Sequence, residues 1–244
     1  MTNWTVVEPS TGQLGEPEFI QSAVQSDIGY DVDLDQIDGV TSLAITRLPD
    51  VGAGHKLLMY AVVISLGDLA TVALPGWTER VTGDPFNNAT WWDRVVIEAE
   101  PATYLMTVEE PSGIFIHQLE FEGVSDWLLT GEFNSGGEGI SNPAVATGVD
   151  IVEPSLMVAW WLAAGIIDLE DFVLPAGWQL GSYSAVDLSE TEYTLLTCYL
   201  FTDELGPTGD VELEMGQETG WLSQIMVYST VGVVIDIWTK VEDL

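Results

Sequence analysis

The sequence predicts an all-β protein: two tandem antiparallel β-sandwich, jelly-roll-like domains behind a short N-terminal arm. Three observations lead there. Apolar runs are short, rich in Val, Ile, Thr, Trp and Tyr, and broken by Gly, Pro or Asp about every 8–12 residues. Alternation of period two shows in Asp31-Val32-Asp33-Leu34-Asp35 and again in Phe115-Ile116-His117-Gln118-Leu119-Glu120-Phe121-Glu122, while no stretch holds a 3.6-residue period through three capped turns. The third observation is a set of landmarks that occurs twice in one order.

In chain order, Met1–Gln25 precedes the first set and reads as an arm, an extra strand or a tether. Strands are expected at Thr41–Thr46, Leu57–Leu66, Trp92–Ile97, Thr103–Val108, Ile114–Phe121 and Gln224–Ser229. Leu57–Val63 followed by Leu74-Pro75-Gly76-Trp77 returns as Ser155–Trp161 followed by Leu174-Pro175-Ala176-Gly177-Trp178. Thr103–Thr107 then corresponds to Cys198–Thr202, and Ile114–Val124 to Gln224–Val233. A repeat of about a hundred residues is a domain duplication, since solenoid units run to about 20–50. Gly131–Asn142, Gly-rich and polar, is the expected linker. The expected division is therefore an arm at 1–25, a sandwich at 26–130, the linker at 131–142 and a second sandwich at 143–244.

Charge narrows the function classes. The 244 residues hold 39 Asp+Glu and 5 Lys+Arg, a formal net charge of −34, yet 47% are hydrophobic. A disordered acidic tail lacks that apolar content. Nucleic-acid binding needs cations to displace counterions from phosphates, and five cannot do it. An anionic membrane surface repels such a chain. Its self-repulsion costs stability in dilute buffer and is screened in molar salt, where the Debye length is roughly 3 Å, so the composition reads as adaptation to high salt. Met1–Ser10 has neither the basic nor the apolar region of a secretion signal, and the Leu156–Ile167 run is too short to span a bilayer, so synthesis as a soluble cytoplasmic chain is expected.

Few residues suit catalysis. His117 reads as a solvated strand position, His55 lies in a loop with no nucleophile motif beside it, and Cys198 sits in an apolar strand. No catalytic residues and no cofactor are expected. Asp31, Asp33 and Asp35 are the best cation candidates, Ca²⁺ among them, but Gln36 and Ser42 stand where an EF-hand needs Gly and Glu. Pro-Gly makes a tight turn that aims the next residue at the sheet, so Pro75, Gly76 and Trp77, and Pro175, Gly177 and Trp178, are expected to plug the sandwich ends with the indole N–H satisfied at the edge. Trp91-Trp92 and Trp160-Trp161 are adjacent pairs, and strand neighbours point to opposite faces. One Trp of each pair is expected to face outward as a protein-interface anchor, a residue packed under a loop, or a glycan platform. Trp4 and Trp127 suit docking of the arm or linker.

The Pro75-Gly76-Trp77-Thr78 turn, the Asp93-Arg94-Val95-Val96 strand, Glu100-Pro101-Ala102-Thr103-Tyr104 and the closing Glu122-Gly123-Val124 resemble the small β-sandwich modules of tailed-virus and prophage structural proteins. The resemblance covers Thr41–Val124 and, more loosely, Val149–Val233, where Tyr193–Thr197 replaces the Glu-Pro step. With the acidic surface it implies a virion protein of a virus of a halophilic archaeon, exposed on the particle as a capsid turret, decoration or tail-tip component. The implied partners are further copies of itself and other virion proteins. The alternative is a carbohydrate-binding or adhesin module that contacts glycans of the host surface layer.

Overall fold

The structure, a computed structural model, describes residues 17–27, 30–31, 36–37, 40–65, 72–82, 88–96, 100–136, 141–187 and 192–230. They form an all-β fold of antiparallel sheets. The first half runs β1 (Glu18–Asp27), β2 (Tyr30–Asp31), β3 (Gln36–Ile37), β4 (Val40–Thr46), β5 (Lys56–Ser65), β6 (Val72–Ala73), β7 (Thr78–Thr82), β8 (Asn88–Val95) and β9 (Thr103–Glu122). The second runs β10 (Val124–Thr130), β11 (Asn134–Ser135), β12 (Ala144–Ala146), β13 (Asp150–Ile151), β14 (Ser155–Ala164), β15 (Phe172–Val173), β16 (Gln179–Asp187), β17 (Glu192–Thr202), β18 (Gly206–Pro207), β19 (Val211–Met215) and β20 (Trp221–Thr230).

The two halves repeat one topology. The first sheet has the order β1-β9-β5-β8-β7 and the second β10-β20-β14-β17-β16. In the first half β4 and β6 pair with the leading part of β9; in the second β12 and β15 pair with β19. The long β9 therefore corresponds to β19 and β20 together. Duplication is thus written in the strand pairing as well as in the landmarks.

Pairing corrects several expected positions. The halves meet at Gly123, whose φ of +67° suits glycine, between β9 and β10. Residues 18–25 of the expected arm lie in β1, which pairs with β9 and has its counterpart in β10. The described part of the expected linker is not a tether. Gly131 and Gly136 donate backbone bonds to Ile225 and Trp221, and Asn134–Ser135 pair with β20. Met59 pairs with Trp92 and Met157 with Leu200, so the counterpart of Cys198–Thr202 is Thr90–Arg94 rather than Thr103–Thr107. A local likeness of five apolar letters cannot distinguish two neighbouring strands; the ladder can.

Three hydrophobic clusters separate four β layers. The outer cluster of the first half lies between its five-stranded sheet and the β4–β9–β6 layer, with Ile45, Met59, Trp92 and Met106 among its residues. Its equivalent in the second half holds Ala146, Met157, Trp161, Cys198 and Leu213. A central cluster joins the halves: Leu58, Tyr60, Trp91, Leu119 and Phe121 meet Leu156, Trp160, Leu195, Tyr199 and Tyr228. Among the described residues no exposed boundary separates the halves.

Contacts across that cluster follow a pseudo-two-fold rule. β5 faces its counterpart β14 through the Tyr60–Trp160 stack, ring centroids 4.6 Å apart. β9 faces β17 through Phe121 and Tyr199, and β8 faces β20 through Trp91, whose Nε1 donates to Tyr228 Oη at 2.6 Å. Since β20 is the counterpart of β9 and β17 of β8, the contact is the same on both sides, the signature of an isologous interface. β7 and β10 close one end through Arg80 over Trp127; β1 and β16 close the other.

This layering explains the sequence pattern. Every residue of β14 except its last is buried, because both faces of the strand are covered, and its letters run apolar without alternation. β19 forms an outer layer, and Val211-Glu212-Leu213-Glu214-Met215 alternates buried and exposed.

Candidate functional site

The two Pro-Gly-Trp segments form turns of the same geometry. Trp77 N–H donates to Leu74 O at 3.2 Å and Trp178 N–H to Pro175 O at 3.0 Å. Gly76 and Gly177 hold φ of +83° and +82° at the third turn position, a conformation that excludes most side chains. The inserted Ala176 moves Pro175 to the first turn position, where Pro75 holds the second. Trp178 is buried edge-on against Trp161. Trp77 is half-buried, edge-on to Tyr104 at 5.1 Å, and its Nε1 has no hydrogen-bond partner among the described residues. The expected edge bond for that indole is absent there.

All four paired tryptophans are about 1% exposed, which overturns the outward-facing expectation. Neighbours do point to opposite faces, but both faces are covered: Trp91 and Trp160 enter the central cluster, Trp92 and Trp161 the outer ones. Neither an interface anchor nor a glycan platform is presented by these indoles. Trp127 is half-buried beneath Arg80.

His117 is also corrected: it is fully buried, not solvated. Its Nδ1 lies 2.6 Å from Ser182 Oγ and its Nε2 2.8 Å from Ser184 Oγ, so the ring bridges β9 to β16 across the two halves. Burial pushes its pKa down to about 3. The imidazole stays neutral, one nitrogen donating and the other accepting, as two hydroxyls permit. The unfolded chain takes up this proton near pH 6.5 and the folded chain does not, so stability falls as pH drops from about 6.5 towards 3 and is unaffected by this group above that window. His117→Gln is expected to remove about 1 kcal/mol per pH unit of that slope between pH 6 and 5, above the range where most carboxylates titrate. Urea unfolding of both proteins at the two pH values measures it.

His55 donates from Nδ1 to Glu120 Oε1 at 2.7 Å. Glu120 is fully buried and also accepts the Gly52 N–H at 2.9 Å and Gln21 Nε2 at 2.6 Å. A Cβ on Gly52 would strike the His55 ring, so glycine lets the loop close over the pair. Both oxygens of Glu120 are occupied, which leaves it a structural acceptor. Sequence reasoning missed it, because strand alternation placed Glu120 on the polar face before β1 and the Gly52 loop were known to cover that face.

The described cations also bond inward. Arg80 grips Asp93 with two bonds of 2.6 and 3.1 Å, and Lys56 Nζ is 3.7 Å from the same carboxylate; Lys56 and Asp93 are 3% and 2% exposed. Desolvation lowers the Lys56 pKa against the pull of Asp93. Arg94 bonds Glu100 at 2.9 Å and lies over the Trp77 and Tyr104 rings. Arg47 donates to the Glu100 carbonyl at 3.2 Å. All four sit in the first half, and from residue 118 to residue 239 the sequence has no Lys, Arg or His.

Asp31 pairs with Gln36 in the β2–β3 ladder, whereas Asp33 and Asp35 lie outside the described residues. Among the described residues no group of three or more His, Cys, Asp or Glu is arranged to hold a metal ion, and no helix is long and apolar enough to cross a membrane. The Cys198 thiol is buried and pushed up to about 12, far from a reactive thiolate. Comparison with protein-family models, curated proteins and solved structures gives no match.

Proposed function

We propose that this chain is a non-enzymatic structural protein of a virion surface that works in high salt, as a turret, decoration or tail-tip component. The observation that carries the reading is the placement of charge. Arg47, Lys56, Arg80 and Arg94 are bonded to interior carboxylates or a backbone carbonyl, so the outer surface of the described residues is left to unbalanced acids. Groups that serve catalysis elsewhere are held in structural bonds: His117 between serine hydroxyls, His55 on Glu120, Cys198 in an apolar core. The duplicated sandwich, closed on itself through aromatics, is a rigid unit suited to a scaffold, and the Pro-Gly-Trp modules resemble virion modules. With the paired tryptophans internal, assembly with further copies rests on isolated exposed apolar residues such as Val152, Val173 and Leu205.

Two measurements test the proposal. Raising NaCl from 0.1 to 2 M is expected to raise Tm by on the order of 10 °C, a few kcal/mol at ~2–4 °C per kcal/mol for a chain of this size; a flat or falling Tm contradicts the high-salt reading. Antibodies against the protein are expected to decorate the outside of purified particles in negative-stain images. Recovery only from the soluble cell fraction contradicts the virion reading.

A further inference from the structure

The duplication has left a hole where one half stores a cation. In the first half Arg94 sits 5.7 Å from the Trp77 ring centroid and 5.6 Å from that of Tyr104, with Nη2 on Glu100. The ladders identify its counterpart: Arg94 pairs with Leu57 on β5 and Thr202 with Ser155 on β14, each two positions from the matched Met59–Trp92 and Met157–Leu200 pairs. By the same ladders Leu200 replaces Trp92, and Val211 replaces Tyr104, since Val72 and Val108 match Phe172 and Met215. Trp178 keeps the place of Trp77. Arg, Trp and Tyr have thus become Thr, Leu and Val around a retained indole, and the vacated space is a cavity of about 240 Å³ lined by Trp178, Leu200, Thr202, Val211 and Glu204. That is room for several water molecules at ~30 Å³ each, or for one small organic cation.

We infer that this cavity is a binding site for an alkylguanidinium group, supplied by free arginine or by an arginine side chain of a partner protein. The first half displays what suits the position: a guanidinium over an indole and against a carboxylate, a combination whose attraction strengthens as water is excluded. The second half supplies the indole from Trp178 and the carboxylate from Glu204, whose side chain has no partner among the described residues. The loop is held in place by Glu204 N–H donating to Thr202 Oγ1 at 3.1 Å. Leu200 and Val211 give the alkyl stem an apolar wall. None of the described residues that line the cavity is a cation, and residues 118 to 239 lack Lys and Arg. Charge complementarity thus favours an external cation.

Isothermal titration of the full chain in molar NaCl with three probes tests the site: free L-arginine, N-acetyl-arginine-N-methylamide and neutral citrulline. Saturable binding of either arginine probe with none of citrulline is expected. Binding of the blocked probe alone assigns the site to a partner's side chain, and of free arginine alone to the amino acid. Two variants separate the cavity from the acidic surface. Thr202→Arg restores the first half's residue and is expected to fill the cavity, raise Tm and abolish binding. Glu204→Gln is expected to weaken binding at least tenfold, while Glu170→Gln, an exposed acid elsewhere, leaves it unchanged. Absence of binding by the wild type, or equal binding by the wild type and a Thr202→Arg protein with unaltered circular dichroism, overturns the inference.

Discussion

Replacing Trp160 by alanine is expected to cost about 3–5 kcal/mol, enough to consume much of the roughly 5–15 kcal/mol that holds a typical protein folded. Trp160 is 1% exposed in the middle of β14, stacks on Tyr60 of the other half at 4.6 Å and meets Phe133 at 6.1 Å. Alanine would leave a cavity bordered by two rigid sheets, where relaxation is small and lost contacts go uncompensated. The change also removes an aromatic pair worth about 0.5–1.5 kcal/mol beyond its buried area. Val152→Ala, at a site 67% exposed, is expected to stay within about ±0.5 kcal/mol. Guanidinium unfolding in constant molar salt gives both values. A Trp160→Ala loss below about 1 kcal/mol would mean the sheets do not share this core.

Asp93→Ala is the second large effect, at about 3–5 kcal/mol, because it strips the carboxylate from two cations at once. Arg80 loses both its bonds, and Lys56, 3% exposed, is left charged over the Tyr228 ring without its ion-pair partner. Most of the loss is the burden of the stranded Lys56, so adding Lys56→Met is expected to recover a large part of it. An ion pair this enclosed is screened little by salt. The Asp93→Ala penalty should therefore be similar at low and high NaCl, while overall stability climbs with salt. A penalty that vanishes in high salt would place the network at the surface.

These two sites show where sequence reasoning reaches and where it stops. Short β-rich runs, the Pro-Gly turns and the duplicated landmarks made the all-β fold legible, because strand periodicity and turn chemistry are local. Burial was not. Trp91-Trp92 and Trp160-Trp161 were expected to send one indole outward, since a sheet with one covered face presents the other to water. Here the two halves cover each other's inner sheet, and β5 and β14 are enclosed on both faces. The uninterrupted apolar run of β14 carried that signal, but an apolar strand reads the same whichever element covers it. His117, Glu120 and Asp93 look solvated for a related reason: the strand pattern does not tell which polar group arrives beside each, and Ser182 and Ser184 of β16 meet His117, Gln21 of β1 meets Glu120, and Arg80 of β7 meets Asp93. Polar letters on a strand report hydrogen bonding, and the partner is water only if nothing else arrives.

The candidate site was less legible still. Trp178 was readable as the repeat of Trp77, yet the cavity beside it depends on which residue replaces Arg94. The linear match aligned Cys198–Thr202 with Thr103–Thr107, one strand away from its true counterpart, and only the ladder register exposes the exchange of Arg94 for Thr202.

The duplicated halves close on each other as a single unit. Native-state hydrogen exchange of the full chain in molar salt tests it most directly, followed strand by strand by mass spectrometry for the wild type and Trp160→Ala. The account predicts that amides of β5 and β14 open together at one free energy, and that the substitution in β14 lowers protection in both by the same amount. Loss of protection confined to β14, with β5 unchanged, would contradict it and leave two independent sandwiches.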